Sequence, residues 1–262
     1  MSFGIGAGSL AYDDAGSSAP GAPTFVFVHG LGCSREFWQP QFDDLSRDHR
    51  CISVDMRGCG ESSATPPFHT RQQADDVAAL IRALDAAPAI IVGHSLGGIV
   101  ALLANDRHEE LVCGIVIGDS PVLPEVFGIE GLIAALREAS TTEPLRPLVD
   151  SFWSEGTSPE VKELAVRVML GTPTEVLAGM VESFPTERMG ELVKLADKKP
   201  FMAIWAERPA GDPAWLRKVT MFLRQEPIAG TGHFFQLEEP AVTTALLRAF
   251  LDDVERDPRI AH

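Results

Sequence analysis

Val92-Gly93-His94-Ser95-Leu96-Gly97-Gly98 decides how this chain is read, because it joins an apolar strand to a helix through Gly-x-Ser-x-Gly. The strand is Ala89-Ile90-Ile91-Val92, and the helix opens with Gly98-Ile99-Val100-Ala101-Leu102-Leu103. Between them Ser95 falls on a turn so tight that both flanking positions need glycine to avoid side-chain overlap. Such a turn lifts the hydroxyl out of the sheet and aims the following N–H groups at the same point. The helix N-terminus beneath it favours developing negative charge. These features suit a serine nucleophile.

Further strands flank this one. Residues 9–12 read as a short strand, and 14–23 form a Gly/Ser/Ala/Pro loop. Thr24-Phe25-Val26-Phe27-Val28 is an apolar run of strand length that ends at His29-Gly30-Leu31-Gly32, and Cys51-Ile52-Ser53-Val54 ends at Asp55. Residues 72–84 have Val77, Leu80, Ile81 and Leu84 at helical spacing. Residues 112–117, 200–205 and 220–228 read as strands, and 239–254 as a closing helix with Ala241, Ala245, Leu246, Phe250 and Leu251 inward. Apolar strands alternating with helices predict an α/β protein with a mostly parallel, doubly wound sheet. Ligands bind such sheets at the carboxyl ends of the strands. His29, Asp55, Ser95 and Asp119 all fall there.

Residues 122–197 break the alternation, with helical patterns at 129–139, 144–153, 159–170, 173–184 and 186–196 and no convincing strand. A stretch this long between two core strands reads as an inserted helical cap. The expected organisation is therefore core at 1–121, cap at 122–197 and core again at 198–262.

The 262 residues are enough for a large core, and 45% hydrophobic with 23% charged residues describes a soluble globular protein. A net charge of −15 argues against nucleic acid or an anionic membrane as partner. Cys33, Cys51, Cys59 and Cys113 form no Cys-x-x-Cys pair. No signal-sequence pattern follows Met1, and no apolar run approaches the roughly 18 residues of a membrane span. Free thiols in a reducing cytoplasm are the expectation.

His29-Gly30-Leu31-Gly32, Asp55-x-Arg57-Gly58-x-Gly60-x-Ser62, Gly93-His94-Ser95-Leu96-Gly97-Gly98 and Gly232-His233 occur in the order found in the α/β-hydrolase superfamily. The chain resembles its cap-bearing esterase-type branch, from the first strands to the last helix; the cap matches no motif. That resemblance implies the α/β-hydrolase fold with Ser95 as nucleophile. A serine hydroxyl is too weak unassisted and needs a base within hydrogen-bond reach. His233, in Gly230-Thr231-Gly232-His233-Phe234-Phe235, is the implied base. The backbone N–H groups of Leu31 and Leu96 are the implied oxyanion hole. His29 and His94 are expected to brace these loops, and Asp55 and Arg57 to form a structural turn.

The acid departs from the usual pattern of that superfamily, an aspartate in a Gly-x-x-Asp context after the strand that follows the cap. Here the segment is Trp205-Ala206-Glu207-Arg208-Pro209-Ala210-Gly211-Asp212, with Pro209 where the carboxylate would stand. Asp119, in Ile117-Gly118-Asp119-Ser120-Pro121, directly follows the preceding strand. Those two strands are neighbours in this fold, so either end can reach the histidine, as some relatives do from the earlier strand. Asp119 is the first choice, Asp212 the alternative and Glu207 third.

The function implied is a serine hydrolase that cleaves an ester or lactone through an acyl-enzyme. Carbon–carbon cleavage, cofactor-free oxygenation and ligand sensing on the same scaffold are the rivals. No cofactor or metal is expected. The partner is a small-molecule ester, with neither nucleic acid nor membrane, and the chain a monomer or small homo-oligomer. Trp38, Phe127, Phe152, Trp153 and Phe234 are expected to line a mainly apolar substrate pocket. Arg137, Arg146 and Arg188 are candidates for an anionic group.

Overall fold

A computed structural model describes residues 1–63, 65–124 and 129–258. Its strands are β1 (Ser2–Ile5), β2 (Gly8–Ala15), β3 (Thr24–Val28), β4 (Cys51–Val54), β5 (Ala89–His94), β6 (Val112–Gly118), β7 (Phe201–Trp205) and β8 (Arg224–Pro227). They form one eight-stranded sheet in the order β1-β2-β4-β3-β5-β6-β7-β8. The β1–β2 and β2–β4 pairs are antiparallel and the rest parallel. Strand β5, which delivers Ser95, lies inside the sheet and is buried throughout.

Alternation along each strand sorts the core into two layers. Val26, Val28, Ile52, Val54, Ile91, Ile115 and Ile117 face α2 (Thr70–Ala83) and α3 (Leu96–Arg107). Phe25, Phe27, Ile90, Val92, Val116, Met202 and Ile204 face the other way, toward α1 (Gln39–Leu45), α10 (Phe235–Glu238) and α11 (Pro240–Arg256). Helix α3 is apolar on nearly every side because other layers cover it.

Between β6 and β7 lie α4 (Ile129–Glu138), α5 (Arg146–Asp150), α6 (Pro159–Met169), α7 (Thr174–Glu182) and α8 (Met189–Ala196), with no strand among the described residues of that stretch. Leu136, Leu145, Val149, Met169 and Leu177 from this segment cluster with Cys33, Phe37 and Phe234 of the core loops. Helix α8 instead packs on α3, and its Met189, Leu192, Val193 and Ala196 join the core over the sheet.

Several elements differ from the sequence expectation. Strand β1 forms a hairpin with β2 through Gly6, whose φ of +61° suits a residue without Cβ. Strand β2 runs on to Ala15 because its last residues pair with β4. The strand expected over 220–228 is confined to Arg224–Pro227, since the Asp197 carboxylate takes the Met221 and Phe222 N–H groups at 2.5 and 3.0 Å. On α11 the buried apolar residues are Leu247, Phe250, Leu251 and Val254, whereas Ala241 and Ala245 point outward. Helices α1 and α9 (Pro213–Val219) were not expected; each starts with proline in its first turn, a helix-start signal. Among the described residues no single helix is long and apolar enough to cross a membrane.

Candidate active site

Ser95 stands between β5 and α3 with φ +53° and ψ −121°. A non-glycine residue held there stores roughly 1–3 kcal/mol of backbone strain, which persists only where the surroundings dictate it. Here the Ser95 N–H donates to the Gly118 carbonyl at 2.7 Å, tying the turn to the next strand. The glycines allow the close approach. A Cβ on Gly93 would overlap the Gly97 carbonyl, and one on Gly97 would overlap the Val28 and His29 carbonyls. Leu96 is the first residue of α3, so its N–H has no carbonyl within the helix to reach.

His233 follows β8, and its Nδ1–H donates to Asp119 Oδ2 at 2.6 Å. That bond fixes the tautomer and leaves Nε2 as the free nitrogen. Both side chains are buried. Asp119 directly follows β6 at φ +41°, and its N–H donates to the Ile204 carbonyl of β7 at 2.7 Å. Its Oδ1 accepts the Ala206 and Ala210 N–H groups at 3.3 and 3.1 Å. The carboxylate thus holds the imidazole with one oxygen and the loop after β7 with the other.

The remaining candidate acids are engaged elsewhere. Asp212 caps α9, its Oδ1 accepting the Trp215 N–H at 2.8 Å. Glu207 is exposed and accepts the Gly230 N–H at 2.9 Å.

Ser95, His233 and Asp119 line one cavity of about 490 Å³, together with Leu31 and Leu96. Its walls from the helical segment are mainly apolar: Ile129, Leu132, Leu148, Phe152, Met169, Val181 and Phe184. Phe152 stacks on the His233 ring, centroids 4.2 Å apart, and its carbonyl accepts the His233 N–H at 2.9 Å. Phe234 also lines the cavity.

Three other pocket expectations need correction. Trp38 is fully buried below the site, donating from Nε1 to the Val28 carbonyl at 3.2 Å and packing against Phe27 and His94, so it does not line the cavity. Trp153 is also absent from the lining; it packs against Phe234 with ring centroids 6.0 Å apart. Arg137, Arg146 and Arg188 are paired with Glu182, with Asp150, and with both Asp106 and Glu191. Phe127 lies outside the described residues.

The two histidines expected to brace loops are fully buried. His29 donates from Nδ1 to the Gly30 carbonyl and accepts the Met56 N–H at Nε2, at 2.8 and 2.9 Å. His94 donates from Nε2 to the His233 carbonyl at 2.8 Å. Burial above all holds both below the usual histidine range; for His94 the neighbouring His233 adds to the effect. Asp55 anchors Arg35, while Arg57 forms two 2.7 Å bonds to Asp76. Cys33 reaches the cavity wall, yet burial pushes its thiol well above the usual range, which disfavours the thiolate.

Sequence reasoning missed Glu238, whose carboxylate accepts the Gly232 N–H at 2.8 Å and the Ser154 and Thr157 hydroxyls at 3.2 and 3.1 Å. These bonds tie the His233 loop to the helical segment. It also missed Arg208, a cation on the cavity lining. Nothing in the local sequence marks either; only the folded chain brings them to the site.

A profile of the alpha/beta hydrolase family matches residues 25–246. A protein named as a carbamate hydrolase, RutD, from Serratia proteamaculans (strain 568) is 36% identical over 104 residues, 39% of this chain and 39% of that protein. The match therefore spans about two-fifths of the length of that curated relative. Among solved structures, a thermophilic esterase from Thermogutta terrifontis superposes with a TM-score of 0.84 at 22% identity, covering 94% of both chains. An enol-lactonase from Burkholderia xenovorans LB400 superposes at 0.82 with 23% identity, covering 96% of this chain and all (100%) of that one. The chain belongs to the alpha/beta hydrolase family.

Proposed function

We propose that this alpha/beta hydrolase is a serine hydrolase that cleaves a carboxylic ester or lactone of a small, mainly apolar substrate through an acyl-enzyme. One observation carries the reading: a serine held in a strained elbow faces the same cavity as a histidine whose Nδ1 is fixed by a buried carboxylate. His233 Nε2 takes the Ser95 proton as the hydroxyl attacks the carbonyl, and Asp119 stabilises the imidazolium that forms. The N–H groups of Leu96 and Leu31 receive the developing oxyanion, aided by the α3 N-terminus. The imidazolium then protonates the leaving oxygen, and a water activated by the same nitrogen releases the acid. The helices between β6 and β7 act as the cap, supplying apolar walls that exclude bulk water.

A fluorophosphonate probe and p-nitrophenyl butyrate test this reading together. The wild-type chain should be labelled at Ser95 and turn the ester over. Ser95→Ala should take no label and lose roughly 10⁴-fold or more in turnover. Equal labelling of the variant, or a wild-type chain that neither labels nor turns over, would discard the reading.

A further inference from the structure

We infer that Arg208 makes the cavity selective for esters that carry a second, free carboxylate. This deepens the proposed hydrolase function and rests on it. Among the described residues, two charged side chains line the cavity beside the histidines: Asp119 and Arg208. Asp119 is fully committed, to His233 through one oxygen and to the Ala206 and Ala210 N–H groups through the other. Arg208 makes no ion pair among the described residues, in contrast to Arg137, Arg146 and Arg188. Among the described residues its single hydrogen bond runs from one terminal nitrogen to the Trp153 carbonyl at 2.8 Å.

That bond occupies one of the five N–H donors of a guanidinium and leaves the rest of its planar fork for an anion. A carboxylate matches the fork in a two-point contact, and the charge makes each bond stronger than a neutral one. Arg208 is also anchored at its main chain. The backbone on either side of it, at Ala206 and Ala210, is bound to the carboxylate that orients His233. The Trp153 carbonyl steadies the far end. The stretch of chain that carries the cation is therefore tied to the carboxylate beside His233, and the exposed guanidinium sits on the rim of a mainly apolar pocket. On a chain of net charge −15, an anionic substrate needs such a local attractor.

The test compares matched esters that differ only in that charge. On the acyl side the pair is mono-p-nitrophenyl adipate and its methyl ester. On the alcohol side it is 4-carboxyphenyl butyrate and the corresponding methyl ester. In each pair, kcat/KM is measured for wild type, Arg208→Gln and Arg208→Lys. Arg208→Gln should lose about 10-fold on the charged member of at least one pair, and stay within about twofold on both neutral esters. Arg208→Lys should recover part of the loss. If Arg208 only latches the Trp153 segment, both members of each pair fall together, and the inference is overturned; unchanged ratios in both pairs overturn it as well. Turnover of the neutral esters by wild type separates these failures from failure of the hydrolase reading. Absence of all turnover would sink both.

Discussion

The carboxyl rim of the sheet and the helical segment above it place their side chains by different means. At the rim the main chain does the work. Ser95 and Asp119 adopt positive φ, and their N–H groups are pinned to Gly118 and Ile204 of neighbouring strands, each at 2.7 Å. Above it, Leu136, Leu145, Met169 and Leu177 hold one another by side-chain packing, and each is exchangeable for another apolar residue at modest cost. On the proposed mechanism, the groups that must be correct to a fraction of an ångström sit on the rim, and most of the apolar groups that wall the pocket sit on the helices. Substitutions at the rim should therefore act by orders of magnitude, and those in the helices by small factors.

The strongest way to break this contrast is at the two aspartates that the sequence offered as acids. Asp119→Asn keeps the shape but favours the wrong imidazole tautomer, and turnover of p-nitrophenyl butyrate should fall roughly 10³- to 10⁴-fold with the fold intact. Asp212→Ala removes only the cap of α9, so turnover should hold while unfolding free energy falls by about 1 kcal/mol. Circular dichroism melts beside the kinetics separate the two outcomes. Equal losses of turnover would mean that neither carboxylate orients His233.

How much of this was legible beforehand follows the same division. The elbow could be read because close backbone approach leaves a residue-level mark: Gly93 and Gly97 sit where any Cβ would collide with a carbonyl. The Asp119 position could be read because it ends a strand, and β6 and β7 proved to be parallel neighbours. Trp38 could not be placed, since an aromatic near a site looks the same in sequence whether it lines the cavity or supports its floor. Arg208 and Glu238 were invisible for a further reason. Their partners, Trp153 and Ser154, are more than fifty residues away in sequence and meet them only through the helical insertion.

Acid should separate the regions through stability. His29 and His94, both at the rim, are held below the usual histidine range chiefly by burial. Below about pH 6.5 the unfolded chain binds protons at these positions that the native chain does not yet accept. Their contribution is therefore complete above that pH and is lost as pH falls toward the native values. The slope is up to roughly 1.4 kcal/mol per pH unit for each histidine. Residues 129–196 contain no histidine, so the helices contribute none of this slope. Urea unfolding at pH 7.5 and 5.5 should show a smaller difference for His94→Gln than for wild type; identical differences would remove His94 from the account.

A smaller loss of turnover than at Asp119 should come from Phe152, where the helical segment touches His233. Its carbonyl accepts the His233 N–H at 2.9 Å, a contact that any side chain at this position preserves. What depends on the side chain is the ring, stacked 4.2 Å from the imidazole with 28° between the planes and edge-on to Phe234 at 5.6 Å. An aromatic contact of this kind contributes roughly 0.5–1.5 kcal/mol beyond the area it buries. Phe152→Leu keeps an apolar wall and gives up the stack, so kcat should fall about 2- to 10-fold on p-nitrophenyl butyrate. A loss matching that of Asp119→Asn would place Phe152 among the parts that must be exact, and the helices could no longer be treated as the tolerant half of the site. No loss at all would mean that the backbone carbonyl alone positions the His233 loop.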